Sequence, residues 1–212
     1  MLYSHFEEET GYRKPLIDHI TEVYAGLCSI DEYLKGISLF DGIENRLLIY
    51  KLIAFLHDFG KASIFFQNKL LQRESADLKK NPSLANHALL GAILSLYFAE
   101  LLGFELPVQL LIYRLLHSHH SNSHKPQKKI ELDEDNIGNL GKQYTNILNN
   151  PEAIEIIKMV EAKIELKLPD EKQFNQFIQD ACRKIVLFGV CPIKSQNMEN
   201  DRLYWLYFYL LS

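Results

Sequence analysis

From Asn45 to Phe59 the chain is apolar almost all round (Leu47, Leu48, Ile49, Leu52, Ile53, Phe55 and Leu56), and the run closes on His57-Asp58. A helix that is apolar on every side has to be wrapped by other elements. The segment therefore predicts a central buried helix with further helices around it. The closing pair constrains the chain more tightly still. Charged side chains enter a core only when paired or metal-bound, and a histidine beside an aspartate puts two metal-competent groups there.

The remaining patterning also reads as helix. Leu16, Ile20, Val23 and Leu27 recur at three- and four-residue spacing, with His19 beside that stripe. Gly60 is the expected stop of the central helix. Ser83 is expected to cap a helix running to about Leu102, in which Ala85, Ala88, Gly91 and Ala92 allow close packing. Pro107 opens a helix that carries Leu110, Leu111, Leu115 and Leu116 into His117-Ser118-His119-His120. Residues 121–150, up to Pro151, are rich in Ser, Asn, Lys, Asp and Gly and predict a long polar loop. Lys125, Lys128 and Lys129 there suit either a solvated surface or a phosphate contact. Two more helices are expected, over Glu152–Leu166 and Pro169–Phe188, the second with Phe174, Phe177, Ile178, Ala181, Ile185 and Phe188 facing a core. The aromatic stretch from Asn200 to Ser212 (Leu203, Trp205, Leu206, Phe208) stops without a cap, so the natural chain is expected to continue past Ser212.

At 212 residues the chain suits one domain with a full core. A net charge of −4 argues against a broad electrostatic nucleic-acid binder, though not against a nuclease, because bound divalent ions invert a local field. Cys28, Cys182 and Cys191 form no CxxC pair and are odd in number, which suits a reducing compartment and neither a disulfide framework nor a zinc ribbon. No apolar run approaches the roughly 18 residues of a membrane span, and the first residues lack a signal-peptide pattern. A soluble cytoplasmic protein without a membrane partner is the expectation.

Imidazole and carboxylate are ligands for Mn, Fe, Co, Ni and Zn. The residues in suitable contexts are His19, His57, Asp58, His87, His119 and His120. Adjacent helical side chains diverge by roughly 100°, so His57 can serve one ion while the Asp58 carboxylate bridges to a second. Spacing alone leaves open which two of His117, His119 and His120 coordinate. His124 falls in the polar stretch and His5 reads as structural or surface. Lys61 is either a helix C-terminal cation or a functional group.

Four blocks follow one another across essentially the whole chain: Leu16-Ile17-Asp18-His19; His57-Asp58-Phe59-Gly60-Lys61 with Phe65-Phe66-Gln67; Asn86-His87-Ala88-Leu89-Leu90-Gly91-Ala92; and His119-His120. In that order they resemble the HD superfamily of metal-dependent phosphohydrolases. More specifically they resemble the HD nuclease of type I CRISPR interference, the nuclease half of a helicase–nuclease recruited to Cascade.

The resemblance implies an all-α HD-domain helical bundle, a single domain over 1–212, with its metal site between central helices. It implies His19 and His57 on one divalent ion, Asp58 bridging, and His87, His119 and His120 on a second. The ions would be Mn, Fe, Ni or Co, with Mg admissible. Asp58 and Lys61 would be the catalytic side chains, Lys61 facing the scissile phosphate. The substrate would be single-stranded DNA, with RNA as an alternative. Partners would be a helicase, fused or separate, and a Cascade-type complex. A late aspartate ligand of this family would fall just past Ser212. The rival readings are an HD phosphohydrolase of nucleotides or cyclic nucleotides, and an impaired docking module for a helicase.

Overall fold

The computed structural model describes residues 1–34, 45–119 and 134–189. Its architecture is a helical bundle with one small hairpin. Strands β1 (Tyr3–Phe6) and β2 (Arg13–Pro15) pair antiparallel and lead into α1 (Leu16–Leu34). Then come α2 (Arg46–Leu56), a 3-10 turn (Phe59–Ala62), α3 (Ile64–Leu70), α4 (Ala76–Lys80) and a second 3-10 turn (Pro82–Ala85). The chain continues through α5 (Ala88–Leu101), α6 (Leu106–Ser118), α7 (Glu134–Leu148), α8 (Ile154–Ile164) and α9 (Glu171–Gly189).

Helix α2 is central, as its pattern requires. It packs against α1, α5, α6 and α8, and every residue from Leu52 to Phe59 is buried. Helix α5 is the second central element, buried from Leu90 to Leu96 and packed on α6 and α2. Small side chains permit this approach: a Cβ on Gly91 would stand 2.0 Å from the Leu56 carbonyl oxygen. Helix α5 ends where Gly103, at φ 74°, lets its own N–H reach Glu100 O (3.0 Å) and that of Phe104 reach Ala99 O (3.0 Å). Pro107 lies in the first turn of α6 as expected.

Three expectations are corrected. Ser83 does not cap the long helix. Its hydroxyl donates to Asn81 (2.6 Å) and accepts from Asn139 (2.7 Å) within the Pro82–Ala85 turn, so the helix begins at Ala88. Gly60 does not stop α2, which ends at Leu56. It lies in the following turn, where a Cβ would come 2.5 Å from His87 O. The polar stretch 121–150 is not one loop, because Glu134–Leu148 is helix α7. Ile137, Leu140, Tyr144 and Ile147 form its inward stripe, the last three buried. Residues 120–133, with Lys125, Lys128 and Lys129, and the segment 190–212 lie outside the described residues.

Among the described residues no helix is long and apolar enough to cross a membrane.

Candidate metal centre

The end of α2 builds the centre. His57 keeps helical dihedrals (φ −54°, ψ −40°), whereas Asp58 departs to φ −112°, ψ 10°, so the two neighbouring side chains separate. Asp58 is 1% exposed and His57 5%. Four imidazoles from four places in the chain converge on this carboxylate: His19 from the first turn of α1, His57, His87 at the N-terminus of α5, and His119 at the end of α6.

Each carboxylate oxygen meets its own pair of rings. Oδ2 lies 2.9 Å from His19 Nε2 and 3.4 Å from His57 Nε2; Oδ1 lies 3.3 Å from His87 Nε2 and 3.5 Å from His119 Nε2. Within each set of three, the donor atoms fall inside 4.8 Å of one another. The structure thus brings together His19, His57, Asp58, His87 and His119. His120 lies outside the described residues, as does the late aspartate expected past Ser212. His117 turns away and stacks on Tyr113 (5.8 Å, 13°).

The donor chemistry fits divalent cations. His57 Nδ1–H donates to Ala54 O (2.8 Å) and His119 Nδ1–H to Leu116 O (2.5 Å). A carbonyl only accepts, so these bonds place the ring proton on Nδ1 and leave Nε2 with its lone pair. That lone pair faces a carboxylate oxygen, and His57 Nε2 also faces His19 Nε2 at 3.3 Å. Such a contact is favourable only when a second proton or a cation lies between the two atoms. Burial drives Asp58 toward protonation, but whenever a proton rather than a cation stands on the ring Nε2 atoms, hydrogen bonds from His119, His19, His57 and His87 outweigh burial and hold the carboxyl far below the usual range. Burial pushes His87 below the ordinary histidine range, against the pull of Asp58, so its lone pair persists into mild acid.

Any proton that these imidazoles hold on Nε2 has to leave before a cation binds. Affinity for Mn²⁺ or Ni²⁺ is expected to rise by about tenfold or more from pH 6 to pH 8. Calorimetric titration in buffers of different ionisation heat should show proton release at the lower pH; a pH-independent affinity without it would show that the Nε2 lone pairs are already free at pH 6.

Lys61 joins the same carboxylate. The Phe59–Ala62 turn folds its ammonium back to 2.8 Å from Asp58 Oδ2 and 3.4 Å from Ser4 O, and the residue is 4% exposed.

The second block's last residue, Gln67, carried no assigned role in the sequence, and the structure supplies one. It is buried, and its amide donates to Tyr3 O (2.8 Å) and Lys61 O (2.8 Å) while accepting from Tyr3 N (3.1 Å). The side chain pins the N-terminal hairpin to the centre. Gln67→Leu is expected to cost about 2 kcal/mol by chemical denaturation and to speed amide exchange at Tyr3. His5, read from sequence as structural or surface, sits at the rim with its ring 5.0 Å from that of His19. Opposite the hairpin, buried Gln143 donates to Leu84 O (2.6 Å) and Asn86 O (2.9 Å), fixing the segment that carries His87.

A family model described as Cas3, HD domain, matches residues 6–190. The chain belongs to the Cas3 HD-domain family. No curated protein and no solved structure matches it. A Cas3 HD domain is a metal-dependent nuclease of type I CRISPR systems, within the HD superfamily, and its substrate is DNA. HD domains bind divalent metals, and the two His–His–Asp sets of this chain could hold such ions.

Proposed function

We propose that this chain cuts single-stranded DNA with two divalent cations that share Asp58, His19 and His57 completing one site and His87 and His119 the other. The observation that carries this reading is the division of one buried carboxylate between two imidazole pairs, one pair per oxygen. His120 joins the second site in this reading. Mn, Fe, Ni or Co suit the nitrogen-rich donor set. When bound, such ions lower the pKa of a water and offset phosphate charge.

The chain's own groups prepare that chemistry. The Ala54 and Leu116 carbonyls fix the rings of His57 and His119. Lys61 holds Oδ2 and balances the carboxylate's charge in a buried place. No side-chain nucleophile is required, because water attacks phosphorus and the leaving oxygen departs in line. A helicase of the same system, fused or separate, and a Cascade-type complex would deliver the unwound strand, in the cytoplasm.

The test is a metal-stripped sample given Mn²⁺, Fe²⁺, Ni²⁺ or Mg²⁺ with labelled single-stranded DNA, RNA and a panel of nucleotides and cyclic nucleotides. Cutting of DNA with the nucleotides left intact is expected. Nucleotide turnover without DNA cutting would establish the small-molecule phosphohydrolase instead, and binding without any turnover a docking module.

A further inference from the structure

The N-terminal hairpin carries a feature that neither the core nor the metal centre explains. Tyr3 and Phe6 are three residues apart on β1, a spacing that points side chains to opposite faces of a regular strand. Here a register irregularity between Tyr3 and His5 breaks the alternation. Both rings consequently meet one guanidinium from the partner strand: Arg13 Cζ lies 5.7 Å from the centroid of Tyr3 and 5.4 Å from that of Phe6. Arg13 is exposed and the two rings are half-buried, so the stack faces solvent. Irregularities of this kind re-aim side chains beside active sites.

The stack is also held close to the cluster around Asp58. Gln67 grips both backbone groups of Tyr3, Lys61 joins the Ser4 carbonyl to Asp58, and His5, between the two aromatic positions, lies against His19. An exposed guanidinium resting against two aromatic rings, on a hairpin tied to the cluster around Asp58, suits the face of a nucleobase. The turn of the hairpin carries Glu7, Glu8 and Glu9, which repel phosphate, so the contact is with a base rather than with a run of backbone.

We propose that Arg13, held by Tyr3 and Phe6, is a base-stacking subsite for the unpaired nucleotide next to the scissile phosphate. This rests on the nuclease reading above. Bases in a duplex have both faces covered by their neighbours, so the subsite selects single strands. It does not distinguish DNA from RNA, since both offer the same base face.

Arg13→Lys tests it, because the charge stays and the planar fork is lost; Phe6→Leu removes the ring and keeps apolar bulk. Affinities of the full chain with Mn²⁺ are measured by fluorescence anisotropy on phosphorothioate oligo-thymidylate, oligo-uridylate and an abasic strand of equal length. Each variant is expected to lose about fivefold or more on both base-bearing strands and less than about twofold on the abasic one. Unchanged affinity for oligo-thymidylate, or an equal loss on the abasic strand, would overturn the subsite. If the wild-type chain cuts unmodified oligo-thymidylate while the variants bind normally, the subsite alone fails. If the wild type neither binds nor cuts it, the nuclease reading fails and the subsite with it.

Discussion

Asp58→Asn is expected to abolish phosphodiester cutting, by at least about 1,000-fold, and to remove both cation sites in one step. The carboxylate is the one ligand common to the two sets, so no single histidine substitution should do as much. His19→Ala and His119→Ala should each remove one site and leave the other measurable by calorimetry. The same change has a structural cost. Lys61 Nζ, 2.8 Å from Oδ2 and buried, loses its counter-ion, and breaking a buried pair from one side costs about 3–5 kcal/mol. The pH dependence gives this part a signature. The folded carboxyl is held below its ordinary range near 4. Its contribution is therefore present above about pH 4 and is lost as acid carries the pH down toward the depressed value. Denaturation curves of wild type and Asp58→Asn should converge in acid and separate at neutral pH. Parallel curves would show that Asp58 carries no such linkage.

The second large effect comes from a residue without chemistry. Gly91→Ala puts a methyl group 2.0 Å from Leu56 O, 3.0 Å from Leu56 C and 3.3 Å from His57 O. These are backbone atoms at the end of the central helix, which cannot swing aside as a side chain tip can. The collision is expected to cost about 3 kcal/mol, read as a fall in Tm of about 10 °C. It should also push α5 away from α2 and carry His87, four residues earlier, off Asp58, so cation affinity at the second site falls with stability. Gly138→Ala on α7 is the contrast. A Cβ there meets nothing within 4 Å, and the same substitution should be neutral or stabilise by about 0.5–1 kcal/mol. A Gly91→Ala chain as stable as wild type would mean that α2 and α5 are not in the contact described.

Some of this architecture is legible in the residues and some is not, for identifiable reasons. The central helix was readable because every face of it is apolar, and the convergence of His19, His57, Asp58, His87 and His119 because four blocks recur in a known order. Helix α7 was not readable from its polar composition. Its apolar stripe is narrow, and two of its polar residues, Asn139 and Gln143, are themselves buried, bonded to the turn before His87. Ser83 looked like a cap because local sequence cannot show that Asn81 and Asn139 already engage its hydroxyl. The hairpin depends on Gln67, which lies some sixty residues away, so short-range patterning carries no trace of it. Motif position alone does not reveal the partner of Lys61, and only the path of the Phe59–Ala62 turn shows that its ammonium pairs with Asp58.

Anomalous diffraction from crystals of the Mn²⁺-loaded chain tests the central claim most directly. Two scattering peaks are expected on opposite sides of the Asp58 carboxylate, one among His19 and His57 and the other among His87 and His119. Crystals with Mn²⁺ bound elsewhere and no peak within ligand distance of Asp58 would contradict it.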